Sequence, residues 1–379
     1  MGADRNSFVD VLRGLAILAV IAVHSANRVR SLGTQADFPW SGALYEVMQF
    51  GLHGVQLFFA ISGYLLASLY PNIREKSYTT SFYKRRLARI YPLWLVFAGA
   101  TFLAWILGAS GEEFGFDPYA NLAETYETTG SIWSHPIVAF LLTITLLGWL
   151  VPQLWNTTVL GGWSIYAELQ NYILFQIFYR RRSLGLVEVA VVLGAIEMLA
   201  PHLFGGSPLS EILTRIRLFS SLSFFIIGIA AWEYVSRRVA GSHAKMPIIL
   251  ATRPAVTLIW GALFMVSELP YGTVEKALIF LLASIILARF IIRSPRLARV
   301  FLAFGKYSYS IYFLHFLILL ALKFVSRDYF LFSMQFDLNL QAAGNSLAVA
   351  FFVFTAVLSV GLGSQIWRFE AFFIQKFRS

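Results

Sequence analysis

The stretch Phe8–His24, FVDVLRGLAILAVIAVH, is an apolar run long enough to enter a membrane, yet it carries Asp10, Arg13 and His24. Arg13 and His24 are eleven positions apart. In an α-helix that separation is about three turns plus roughly 20°, with a rise of about 16 Å. Both side chains therefore share one face, half a bilayer apart. Ionisable groups inside a span are costly and normally face a bundle interior or a wet cavity. This face is the candidate path for something polar or charged.

The composition agrees with a polytopic membrane protein. Of 379 residues, 58% are hydrophobic and only 13% charged, with 35 Phe and 10 Trp. Mean hydropathy is +0.67. A soluble globular domain carries about 25% charged residues. No polar block is long enough for a separate soluble domain, so residues 1–379 read as a single integral membrane domain. The net charge is +10, but Lys and Arg fall in short runs between apolar segments, as the positive-inside bias produces. That distribution argues against nucleic acid as a partner and for membrane lipid. There is no Cys, which removes disulfides and thiolate catalysis. The first apolar run is too long for a cleaved signal peptide and reads as a signal anchor.

Spans of about 20 apolar residues fall near 8–27, 43–70, 88–108, 161–179, 184–203, 214–235, 250–268, 272–292, 302–323 and 344–366. Basic clusters fix the sides. If the apolar piece 136–151 dips into the membrane and returns, every later basic cluster lies on the cytoplasmic side. The expectation is an all-α bundle of about ten spans plus a re-entrant segment near 136–151, with both termini cytoplasmic. Eleven spans follow if 136–151 crosses.

Four further blocks hold candidate chemistry. Gly51–Leu66, GLHGVQLFFAISGYLL, is punctuated by glycines. They serve either close helix packing or a broken helix whose backbone approaches a ligand. Phe82–Pro92, FYKRRLARIYP, places Arg85, Arg86 and Arg89 at helical spacing. Such a cluster is an ordinary cytoplasmic anchor or, more sharply, a phosphate site, because guanidinium forks match phosphate oxygens. Gly161–Phe175, GGWSIYAELQNYILF, puts Glu168 within a span, where its charge needs a partner. His24, Arg13 and His315 are candidates. Gly305–Phe316, GKYSYSIYFLHF, spaces Tyr309, Tyr312 and His315 by threes along one helix face. No spacing suggests a metal site.

Together these blocks resemble the acyltransferase 3 family of membrane O-acyltransferases. LRGLAILAVIAVH is similar to its Arg-x₁₀-His motif, matched by Arg13 and His24. GVQLFFAISGYLL, RRLARIYP, WSIYAELQNY and GKYSYSIYFLH resemble four later elements in the family's order. Gln56 stands where the family usually has Asp, and Leu169 where it often has a second Glu. The resemblance implies transfer of an acyl group, usually acetyl, from cytosolic acyl-CoA (acetyl-CoA as co-substrate, no metal). The acceptor would be a sugar, polysaccharide or glycolipid hydroxyl at the extracytoplasmic side of a bacterial inner membrane. It implies His24, Glu168 and His315 as catalytic residues, and Arg13, Arg85, Arg86 and Arg89 as binding the acyl-CoA. The rival expectation is a transporter or flippase of an acyl donor or glycolipid, for which buried charges and a broken span are equally suitable.

Overall fold

The computed structural model describes residues 2–32, 42–70, 76–107, 118–151, 154, 158–159, 161–180, 218–239, 273–335 and 340–376. Among the described residues every regular element is helical. The α-helices are α1 (Gly2–Arg30), α2 (Ala43–Gln49), α3 (Gly54–Leu69), α4 (Lys76–Ile106), α5 (Pro118–Thr129), α6 (Pro136–Ile144) and α7 (Gly162–Arg180). They continue with α8 (Leu218–Val239), α9 (Thr273–Arg293), α10 (Pro295–Lys306), α11 (Ser308–Gln335) and α12 (Leu340–Lys376).

Four of these stretches are long and apolar enough to cross a membrane: Ser7–Arg30, Ala43–Leu69, Thr79–Ile106 and Ala342–Phe369. The expected spans at 184–203 and 250–268 lie outside the described residues. Large apolar side chains point outward along these helices, including Leu95, Val96 and Leu103 on α4 and Val353, Phe354 and Val357 on α12. Contiguous apolar surface of this kind suits lipid rather than water.

Two expectations change in detail. The expected span at 302–323 is not one straight helix. Pro295–Lys306 and Ser308–Lys323 meet at 80°, with Tyr307 turning at φ −98°, ψ 10°. The cause is packing. A Cβ on Gly305 would fall on the Asp10 carbonyl oxygen of α1, and one on Gly14 would fall on the Phe301 carbonyl oxygen. These backbone contacts hold α10 against α1, and the chain must turn before α11 begins. The second change concerns 136–151. Its helix α6 has nine residues, a rise of about 13 Å, under half of a hydrocarbon core about 30 Å thick. It ends at Thr145, Leu146 follows at φ 59°, and a short 3₁₀ turn covers Gly148–Leu150. This helix does not cross by itself.

The helices sort into two compact units, each discontinuous in sequence. The first comprises Met1–Leu57, Leu103–Asp117 and Thr273–Gln375. Here α1 is the shared element, with α2, α9, α10 and α11 packed around it. A 3₁₀ turn at Phe50–His53 lies close to α1 through glycine, since a Cβ on Gly51 would fall on the Ala19 carbonyl oxygen. The second unit comprises Phe58–Phe102, Pro118–Gly272 and Lys376–Ser379. Its helices α3 and α8 meet through glycine on both sides. A Cβ on Gly63 would fall on the Phe225 carbonyl oxygen, and one on Gly228 on the Ala60 carbonyl oxygen. Of the two readings of the glycine-punctuated block, these contacts are close packing by small residues.

Hydroxyl and indole groups fasten α6 within the second unit. Trp94 Nε1 donates to the Thr143 carbonyl at 2.7 Å, and Thr143 Oγ1 and Thr158 Oγ1 are bonded at 2.9 Å. Thr101 Oγ1 donates to the Thr158 carbonyl at 2.8 Å. Pro92 sits inside α4. It has no N–H, so the Ala88 carbonyl loses its helical donor there.

Candidate active site

The first unit brings two of the expected residues together. His24, late on α1, and His315, on α11, have ring centroids 5.3 Å apart. Phe316 packs against both with tilted rings, its centroid 4.5 Å from that of His24 and 4.0 Å from that of His315. Tyr312, one turn back on α11, lies 5.6 Å from His315, as the threefold spacing of these residues leads one to expect. His315 is fully buried at 0% exposure. Its Nδ1 lies 3.2 Å from the Ile311 carbonyl. A carbonyl only accepts, so the neutral ring carries its proton on Nδ1 and offers Nε2 as an acceptor. Arg28, one turn beyond His24 on α1, is near enough to act electrostatically on both rings.

Helix α1 is continuous from Gly2 to Arg30, so the separation of Arg13 from His24 holds. Arg13 pairs with Asp10 at 3.2 Å, both side chains partly buried. Sequence reasoning left Asp10 without a role, although its three-residue spacing from Arg13 is a standard helical pairing.

The second unit collects the arginines and Glu168. Arg86 is enclosed by three rings, with its Cζ 5.6 Å from the Tyr70 centroid, 5.9 Å from Phe82 and 5.7 Å from Tyr172. Each such contact is worth about 0.5–2 kcal/mol, more as water is excluded. Tyr70 also hydrogen-bonds the Arg86 side chain, and Glu168 acts on it electrostatically. Glu168 in turn accepts a hydrogen bond from the Tyr172 hydroxyl, four residues on along α7. Sequence reasoning offered His24, Arg13 or His315 as partners for Glu168; within its own unit the partners are Tyr172 and Arg86. Arg85 is exposed, lies 5.3 Å over Tyr70 and donates from Nε to the Ser81 carbonyl at 3.2 Å. Arg89 is half-buried and acts on Tyr172. The aromatic enclosure was not anticipated, because Tyr70, Phe82 and Tyr172 belong to three separate segments.

The arrangement thus offers a buried imidazole pair in one unit and an arginine–carboxylate–tyrosine cluster in the other. The first is equipped for proton transfer at a hydroxyl, the second for binding an anion through guanidinium. Among the described residues no three His, Asp or Glu side chains gather as metal ligands.

A chain whose described elements are all helical, several of them long and apolar enough to cross a membrane, and which carries such groups fits the class of integral membrane group-transfer or transport proteins. The match to known families decides between them: a family described as an acyltransferase domain matches residues 6–364. The chain is a member of the acyltransferase 3 family. It is similar to the acyltransferase MdmB of Streptomyces mycarofaciens, 34% identical over 174 residues, covering 45% of this chain and 38% of that protein. It is also similar to nodulation protein 10 of Rhizobium leguminosarum bv. viciae, 27% identical over 329 residues, covering 83% of this chain and 84% of that protein. The chain thus aligns with 38% of the length of MdmB. No solved structure matches.

Proposed function

We propose that this acyltransferase moves an acyl group, acetyl by family habit, from cytosolic acyl-CoA to a hydroxyl on an extracytoplasmic sugar, polysaccharide or glycolipid. The observation that carries the reading is the His24–His315 contact at 5.3 Å within an apolar helix bundle. Imidazole is the side chain best suited to take a hydroxyl proton near neutral pH. In this reading His24 Nε2 or Nδ1 accepts the proton of the acceptor hydroxyl as its oxygen attacks the acyl carbonyl carbon. The carbon–sulfur bond breaks, and the proton ends on the coenzyme A thiol. His315 orients His24.

Arg85, Arg86 and Arg89 hold the coenzyme A phosphates, with Glu168 and Tyr172 keeping Arg86 in place. Arg13, steadied by Asp10, lines the approach of the thioester. The chain sits in a bacterial inner membrane as a single domain of about ten spans, with 136–151 entering and returning and both termini cytoplasmic.

The test uses detergent-purified protein, with acetyl-CoA binding and turnover measured for wild type, Arg86→Ala and His24→Ala. The reading expects wild type to bind and turn over, Arg86→Ala to bind weakly, and His24→Ala to bind without turnover. Covalent acyl product in detergent, where no gradient exists, separates transferase from transporter. Turnover retained in His24→Ala would sink the catalytic assignment.

A further inference from the structure

Helices α11 and α12 run antiparallel within the first unit, and two contacts fix their register. At one level Leu319 and Phe351 share an apolar cluster with Ala26 and Val29 of α1. At the other, a Cβ on Gly363 would meet Ile311 Cγ1 at 3.2 Å and Tyr307 Cβ at 3.6 Å. His315 is one turn before Leu319, and Thr355 is one turn beyond Phe351. The register therefore sets Thr355 level with His315. The α12 face is settled by burial: Ala348, Phe351, Thr355 and Ser359 recur at three- and four-residue spacing and are all buried.

Both side chains at this level are fully enclosed, at 0% exposure. His315 Nε2 and Thr355 Oγ1 each have no hydrogen-bond partner. Since His315 Nδ1 faces the Ile311 carbonyl, Nε2 is a lone-pair acceptor. Thr355 holds a donor hydrogen. An acceptor and a donor buried without partners are each costly, and here they are complementary and level.

We propose that Thr355 is a positioning residue for the histidine pair. Its hydroxyl donates to one bridging water, which in turn donates to His315 Nε2. This bond holds His315 as the Nδ1–H tautomer and stops the ring from turning over. Through the ring contact it fixes the orientation of His24 and leaves His24 as the imidazole free to accept a substrate proton. No element of the Arg-x₁₀-His block or of the later resemblance reaches Thr355. The kinetic part rests on the acyltransferase reading; the tautomer does not.

The experiment uses the full chain in detergent with ¹⁵N-labelled histidine, and His315→Gln to assign the His315 nitrogens. In Thr355→Val the Nε2 resonance moves toward that of an imine nitrogen without a donor. In Thr355→Ser it stays at the wild-type position. It also stays in Ser359→Ala, which removes an equally buried hydroxyl one turn further along α12. In turnover assays Thr355→Val lowers kcat by about tenfold, the size of one lost hydrogen bond, with KM for acyl-CoA unchanged, and Thr355→Ser restores it.

An Nε2 resonance unmoved in Thr355→Val, or moved as far by Ser359→Ala, overturns the proposal. A moved resonance with unchanged kcat removes the positioning role. If no acyl transfer is found in any variant, the nitrogen shift still decides the Thr355 bond, and the acyltransferase reading fails separately.

Discussion

The two clusters differ in whether they hold a permanent charge. In the second unit the Arg86 charge has three aromatic faces, the Tyr70 hydroxyl and the Glu168 carboxylate around it, while its Nε has no hydrogen-bond partner. In the first unit the imidazole pair is neutral in its polar surroundings: His315 Nε2 and, level with it on α12, Thr355 Oγ1 are buried without partners. A compensated charge resists moving and suits holding a ligand. Open donors and acceptors around neutral imidazoles suit a place where a proton or a hydroxyl is handed over. In the proposed function the first cluster does the chemistry and the second the binding.

The largest effect should come from breaking the chemical side alone. His24→Ala should lower kcat by about 10²–10⁴-fold, the usual contribution of a positioned acid–base group. Acyl-CoA affinity, read by calorimetry, should not change. The converse break is Arg86→Ala. It should weaken acyl-CoA binding by about tenfold or more, as loss of a charge-assisted contact predicts. Arg86→Lys should not rescue it, because an ammonium lacks the planar fork that fits between three rings. Equal losses of kcat and affinity in both variants would erase the distinction between the clusters.

Much of the first cluster was legible in the sequence. The eleven-residue spacing of Arg13 and His24 survives because α1 is unbroken. His315 stood out because a histidine in a span is rarely idle. Its contact with His24 was not legible, since α1 and α11 are far apart in the chain and only packing brings them together. The Arg86 enclosure was hidden for the same reason: Tyr70 follows α3, Phe82 lies on α4 and Tyr172 on α7. The 80° turn at Tyr307 was hidden differently. Hydropathy runs straight through it, and its cause is the tertiary contact of Gly305 with the Asp10 backbone. Gly63 shows the limit of pattern reading. Its type announced either packing or a broken helix, and only the Phe225 carbonyl beside it decides.

The glycine contacts allow the same substitution in each unit. Gly305→Ala puts a methyl on the Asp10 carbonyl, and Gly228→Ala puts one on the Ala60 carbonyl. Each should cost about 1–3 kcal/mol as overpacking, read as a lower thermal midpoint in detergent. The two differ in what else they disturb. Gly305→Ala shifts α10 against α1, which carries His24, so residual kcat should fall in protein that remains folded. Gly228→Ala separates α3 from α8 and should leave kcat closer to wild type. Equal kcat losses would mean that the helix carrying His24 is not specially sensitive to its α10 contact.

The smallest effect is expected from Tyr172→Phe. The ring that faces Arg86 at 5.7 Å remains, and only the hydroxyl that donates to Glu168 is lost. A single hydrogen bond to a charged group is worth about 1.5–3 kcal/mol, with the lower end applying where water can replace the donor. Glu168 is half-buried, so the lower end applies, and acyl-CoA affinity should fall by roughly tenfold or less. Glu168→Gln should produce a similar loss. The double variant should lose little more than either alone, because the hydroxyl and the carboxylate act on Arg86 as one unit. Additive losses would place Glu168 and Tyr172 in separate roles, and the cluster would then be an arginine with two independent neighbours rather than a single clamp.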